Sequence, residues 1–110
     1  MNITTTIRDD GVAVLAAEGR INLVTAPALR RTVQSVVEDG HPRIALELSA
    51  VEFIDSSGLG ALISGLKAAR TAGGDLRLAS AAEQVTSVLK LTNLDRILRV
   101  YPSTDDAYRD

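Results

Sequence analysis

The chain opens on short β-branched and apolar runs. Asn2 to Ile7 and Val12 to Glu18 read as strands, and Asp9-Asp10-Gly11 between them is a turn signal that folds the second back antiparallel to the first. From Thr25 to Glu38 the period lengthens. Leu29, Val33, Val36 and Val37 recur at helical spacing behind Thr25 as a cap, Pro27 lies in the first turn, and Asp39-Gly40 ends the helix. Arg43 to Leu48 alternates Ile44, Leu46 and Leu48 against Ala45 and Glu47, the period of a strand with one better-buried face. Leu59, Leu62, Ile63 and Leu66 write a second helix, stopped by Gly73-Gly74 before a short strand from Leu76 to Ala79. Ser80-Ala81-Ala82-Glu83 has the spacing of a capping box and predicts a third helix with Val85, Val88 and Leu89 inward. Leu94 to Tyr101 is apolar enough for a last short strand, and Ser103 to Asp110 is polar enough to fray or to form one helical turn.

These elements predict an α/β fold whose mixed sheet opens with an antiparallel hairpin and continues in parallel βαβ units, with helices packed on the sheet. Right-handed crossovers make the second, third and fourth strands parallel, so the loops that follow them share one edge. That edge collects Asn22 to Thr25, Asp55 to Gly60 and Ser80, while Gly40-His41-Pro42 falls at the opposite edge. Open α/β sheets bind their ligands outside the carboxyl ends of parallel strands, which makes the first edge the place to look for function.

Composition narrows the choice. At 110 residues and 45% hydrophobic content the chain suits one domain spanning 1–110 with one core. A net charge of -2 with scattered basic residues offers no footprint for phosphate backbones, and the aromatic residues Phe53, Tyr101 and Tyr108 are too few to stack bases, so no nucleic-acid partner is expected. The absence of cysteine excludes disulfides, thiolate catalysis and thiol switching. Neither a signal-like amino terminus nor a membrane-length apolar run is present, which leaves no membrane partner and the cytoplasm as the expected compartment.

The most informative stretch is Phe53-Ile54-Asp55-Ser56-Ser57-Gly58-Leu59-Gly60, a polar hinge between a strand and an amphipathic helix. At its plainest, Asp55 or a serine caps the helix and the glycines permit a tight entry. Capping and function coexist: a phosphoryl group here adds about 1.5 to 2 negative charges beside unpaired N–H groups and the positive end of the helix dipole, a setting that tolerates them. Enzyme readings fare worse. His41, the sole histidine, precedes the third strand while Ser57 follows it, and the stretch Arg43 to Leu48 alone separates the strand ends by roughly 20 Å at ~3.3 Å per residue, so the pair is no catalytic dyad. Gly58-Leu59-Gly60 lacks the third glycine of a dinucleotide fingerprint, and Gly65 is followed by Leu66 where a P-loop needs lysine. No catalytic residue, cofactor or metal is expected.

Gly19-Arg20-Ile21-Asn22, Thr25-Ala26-Pro27-Ala28-Leu29 and the Phe53 to Gly60 hinge, followed in order by Gly73-Gly74 and the apolar tail, resemble the STAS-domain anti-sigma-factor antagonists of bacterial partner-switching systems. The resemblance spans nearly the whole chain. It implies an α/β domain that binds an anti-sigma factor with ATP-dependent serine kinase activity, is phosphorylated by it at Ser57 rather than Ser56, and is restored by a serine phosphatase. It makes Asn22, Thr25, Asp55, Ser56, Gly58, Leu59 and Gly60 the expected partner-binding positions, and it leaves self-association open. One departure stands out: the family commonly carries aspartate where this chain has Asn22. The fold is expected to accept Asn there, with any effect falling on kinase recognition. The competing reading is a STAS module without a phosphorylation cycle, serving as a structural subunit in a signalling scaffold or lipid-transport complex.

Overall fold

The computed structural model describes residues 1–109. Its strands are β1 (Asn2–Ile7), β2 (Ala13–Ile21), β3 (Arg43–Ile54), β4 (Asp75–Ala79) and β5 (Val100–Tyr101), and its helices are α1 (Ala26–Glu38), α2 (Ser56–Thr71), α3 (Glu83–Leu91) and α4 (Thr104–Ala107). The strands lie in the order β1-β2-β3-β4-β5, antiparallel between β1 and β2 and parallel thereafter, as the hairpin and crossover patterns predict.

Alternation along β3 divides the core. Ile44 and Leu46 join the main cluster under α1 and α2, whereas Ala45 joins Val12 and Ala107 in a small second cluster on the other face of the sheet. The face of α2 turned to the sheet is rich in small residues, including Gly58, Ala61, Gly65 and Ala69. A Cβ on Gly65 would stand 3.0 Å from Leu76 Cδ1 and 3.2 Å from Val33 Cγ1, so glycine there sets how near the helix lies to α1 and β4.

Several boundaries differ from expectation. β3 runs on past Leu48 to Ile54 because Val51 and Ile54 are buried, but Ser49 and Ala50 are both exposed and interrupt the alternation. The neighbouring strand shifts register between Ala16 and Glu18 and again between Gly19 and Arg20, which is how the two strands stay paired across the irregularity. Thr25 precedes α1 but makes no side-chain cap. The capping box at Ser80 does not form either: the Ser80 N–H donates to Tyr101 O and its hydroxyl to Pro102 O, which draws the residue into a left-handed conformation at φ 58° and leaves Ala82 as the uncapped N-cap of α3. The segment read as a last strand opens instead with a 3-10 turn over Leu94–Arg96, and only Val100 and Tyr101 pair to β4.

The polar tail does not fray. Ser103 caps α4 by accepting from the Asp106 N–H, Ala107 is buried, and the Tyr108 hydroxyl accepts from the Ile44 N–H at 3.0 Å while lying 2.8 Å from the carbonyl oxygens of Ile44 and Asp75. Asp110 lies outside the described residues. Burial, with the Asp75 carboxylate adding to it, pushes the Tyr108 phenol up to about 12, so the group stays a protonated donor. Tyr108→Phe is expected to destabilise the fold by about 1–3 kcal/mol, because backbone groups at the start of β3 and β4 lose their partner. Urea denaturation checks this. In the wild type, stability from the raised phenol is fully present below its ordinary value of 10.0 and declines as pH rises toward about 12, a decline that Tyr108→Phe removes.

Candidate switch site at the carboxyl edge

The hinge between β3 and α2 is fastened to the end of β2. The Asp55 N–H donates to Ile21 O at 3.2 Å, and the Asp55 carboxylate, on an extended residue, caps α2 by accepting from the Gly58 N–H at 2.9 Å. Gly58 makes the close approach feasible, since a Cβ there would stand 2.5 Å from Ile21 O and 2.6 Å from Ile54 Cγ1. Ser56 and Ser57 therefore occupy the first turn of α2, where helical geometry supplies no carbonyl partner for the amides. Ser56 is exposed and Ser57 half-buried, while Leu59 belongs to the main core. Because Asp55 supplies the cap, neither serine hydroxyl is spent on it. A Cβ on Gly60 would lie 3.2 Å from the tip of Arg30, so α1 brings a guanidinium beside the first turns of α2.

The loop after β2 is closed on itself. Asn22 Oδ1 accepts from the N–H groups of Val24 and Thr25, and the Thr25 hydroxyl accepts from the Asn22 N–H and donates to Arg20 O. Asn22 acts here through an oxygen acceptor, a role that an aspartate carboxylate fills equally well, so the fold accepts either residue. This closed turn holds Leu23 and Val24 outward, 73% and 84% exposed. Asn22, Thr25 and the Asp55 to Gly60 hinge are thus neighbours, joined through Ile21.

Against this geometry, a family model described as the STAS domain matches residues 4–107. The chain belongs to the STAS-domain family. It is 36% identical to the anti-sigma-F factor antagonist RsfB of Mycobacterium tuberculosis over 96% of this chain and 87% of that one. It is similar to a crystal structure of an anti-sigma factor antagonist from Mycobacterium paratuberculosis, with TM-score 0.81, 37% identity, and coverage of 96% and 91%. A Thermotoga maritima crystal structure superposes at TM-score 0.87 with 34% identity, covering 97% of this chain and 95% of that one. These relatives carry the names of regulatory binding proteins, not of enzymes.

Within the STAS frame, two expectations change. Ser80 does not share the edge with Ser57: β4 ends at Ala79, opposite Glu47, while β3 continues to Ile54, so Ser80 is set back by roughly 20 Å at ~3.3 Å per residue. His41 is even farther from Ser57 than expected, because β3 has 12 residues. Among the described residues, no group of three or more His, Cys, Asp or Glu could hold a metal ion, and no helix is long and apolar enough to cross a membrane. Leu23 and Val24 went unassigned in the sequence. Their signal is an apolar pair that fits no periodic pattern and sits between two turn-forming residues.

Proposed function

We propose that this STAS domain is an anti-sigma-factor antagonist working in the cytoplasm. Unphosphorylated, it binds an anti-sigma factor and so releases a sigma factor. The anti-sigma factor is also its kinase: Ser57 Oγ attacks the γ-phosphorus of ATP, the bond to the β-phosphate oxygen breaks, and ADP and the hydroxyl proton leave. Phosphate on Ser57 then ends the contact, and a serine phosphatase restores it. The observation that carries the reading is the placement of Ser57 on the first turn of α2, with the cap already supplied by Asp55 and an outward apolar pair on the adjoining loop. The names of the relatives support it independently.

The reading is tested by incubating the protein with the cognate anti-sigma kinase and Mg-ATP and mapping the phosphate. One phosphate on Ser57, absent from Ser57→Ala, is the expected result; label elsewhere, or full labelling of Ser57→Ala, overturns the assignment. A domain that takes no phosphate yet assembles with a transporter or scaffold subunit would be the structural STAS module instead.

Leu23 and Val24 supply the apolar part of the contact. Burying one such side chain contributes about 1.5–3 kcal/mol, so the double variant Leu23→Ser, Val24→Ser is expected to bind the anti-sigma factor at least about tenfold more weakly. Its melting temperature should match the wild type, because both side chains already face solvent. Calorimetric titration checks the affinity, and an unchanged affinity would place the contact elsewhere.

A further inference from the structure

The end of β3 has a neighbour on one side only. β2 accompanies it to Ile54 through the pair Ile21 and Ile54, but β4 leaves it at Glu47. The Asp55 N–H turns toward β2 and bonds Ile21 O. The polar groups of the Ile54 backbone face the other way, where no strand continues, and a side chain takes the strand's place: Gln84 Oε1 accepts from the Ile54 N–H at 3.0 Å and Gln84 Nε2 donates to Ile54 O at 3.3 Å. A primary amide offers the same donor and acceptor as a peptide group, so Gln84 completes the ladder for one residue. Gln84 lies in the first turn of α3, which is itself pinned by the fully buried Val85 and Leu89.

We infer that Gln84 is a positioning residue for phosphoryl transfer to Ser57, an inference that rests on the switch reading above. The peptide joining Ile54 to Asp55 is held by β2 on one side and by Gln84 on the other, and Asp55 in turn fixes the first turn of α2 that carries Ser57. In-line transfer depends on the direction of the attacking hydroxyl, and misplacement of about 1 Å from a distance can slow a reaction by up to about a hundredfold. Releasing one side of the hinge lets that direction wander while the surface that first meets the kinase is unchanged.

The test compares wild type, Gln84→Met and Val85→Ala. Methionine keeps the length and loses both hydrogen bonds; Val85→Ala loosens α3 without touching them. In Gln84→Met, the Ile54 amide should exchange with solvent at least about tenfold faster while the Leu46 amide keeps its protection. With the cognate anti-sigma kinase and Mg-ATP, kcat for Ser57 should fall about tenfold with KM within about twofold, while Val85→Ala, at an equal or larger loss of melting temperature, stays within about twofold of wild type on both. Wild-type kinetics in Gln84→Met, or equal slowing in Val85→Ala, overturns the positioning role and leaves the switch intact. A wild type that takes no phosphate on Ser57 overturns the switch reading itself, and the positioning role falls with it.

Discussion

Phosphorylated on Ser57, the domain is expected to bind its anti-sigma factor at least about a hundredfold more weakly than the unmodified form. Two local effects combine at that position. The added group brings about 1.5 to 2 negative charges into a contact formed around a neutral hydroxyl, and an unmatched charge in a packed interface costs several kcal/mol, each 1.4 kcal/mol being about tenfold in affinity. The domain itself has little reason to rearrange. First-turn amides of α2 and the Arg30 guanidinium beside Gly60 already favour an anion there. Ser57→Asp should reproduce only part of the loss, with less charge on a shorter arm. Calorimetry of the three forms against the anti-sigma factor measures the effect, and amide NMR of each form alone tests its locality. Equal affinities would end the switch model; shifts spread through β1 and α4 would end the claim that the change is local.

A comparably large effect is expected from adding one methyl group at Gly58. Alanine gains about 1 kcal/mol over glycine in helix propensity, so an unconstrained helix would be stabilised. Here the new Cβ would meet Ile21 O at 2.5 Å and Ile54 Cγ1 at 2.6 Å, and one of those atoms is backbone in a buried strand end. Steric conflict wins: overpacking of this kind costs about 1–3 kcal/mol and occasionally more, and relief requires α2 to lift from the sheet with Ser57 on it. Gly58→Ala should therefore lower the urea midpoint and impair phosphorylation together. Gly60→Ala is the control, because its Cβ would press only on the flexible end of Arg30, and it should be neutral or slightly stabilising. Equal stability of Gly58→Ala and wild type would show that the close approach of α2 to β2 and β3 is not required.

The sequence reveals the hairpin, the βαβ repeat and the hinge because each rests on local rules. An apolar, β-branched run after the Asp9-Asp10-Gly11 turn marks β2, alternation marks the start of β3, the 3.6-residue period marks α1 and α2, and Asp55 before Ser56, Ser57 and Gly58 marks a helix entry. What stayed hidden depends on residues far apart in the chain. Ser49 and Ala50 break the alternation of β3, and only the shifted register of β2 shows that the strand continues. Ser80 has an impeccable capping spacing, yet pairing with Tyr101 and Pro102 withdraws it from α3. Tyr108 in a polar tail, and Gln84 on an ordinary helix, carry no periodic signal at all, since their partners are backbone groups 64 and 30 residues away.

The sequential strand order has a consequence for how the chain is made. Each strand lies beside its successor, so a nascent chain leaving the ribosome can add every new strand to an edge already standing, with none to be inserted between two others. Closure comes last. The backbone of Ile44, laid down early and already laddered to its neighbouring strands, waits for the Tyr108 hydroxyl, so a chain made only as far as α3 would hold a sheet with its second face uncovered and that side-chain partner of Ile44 missing.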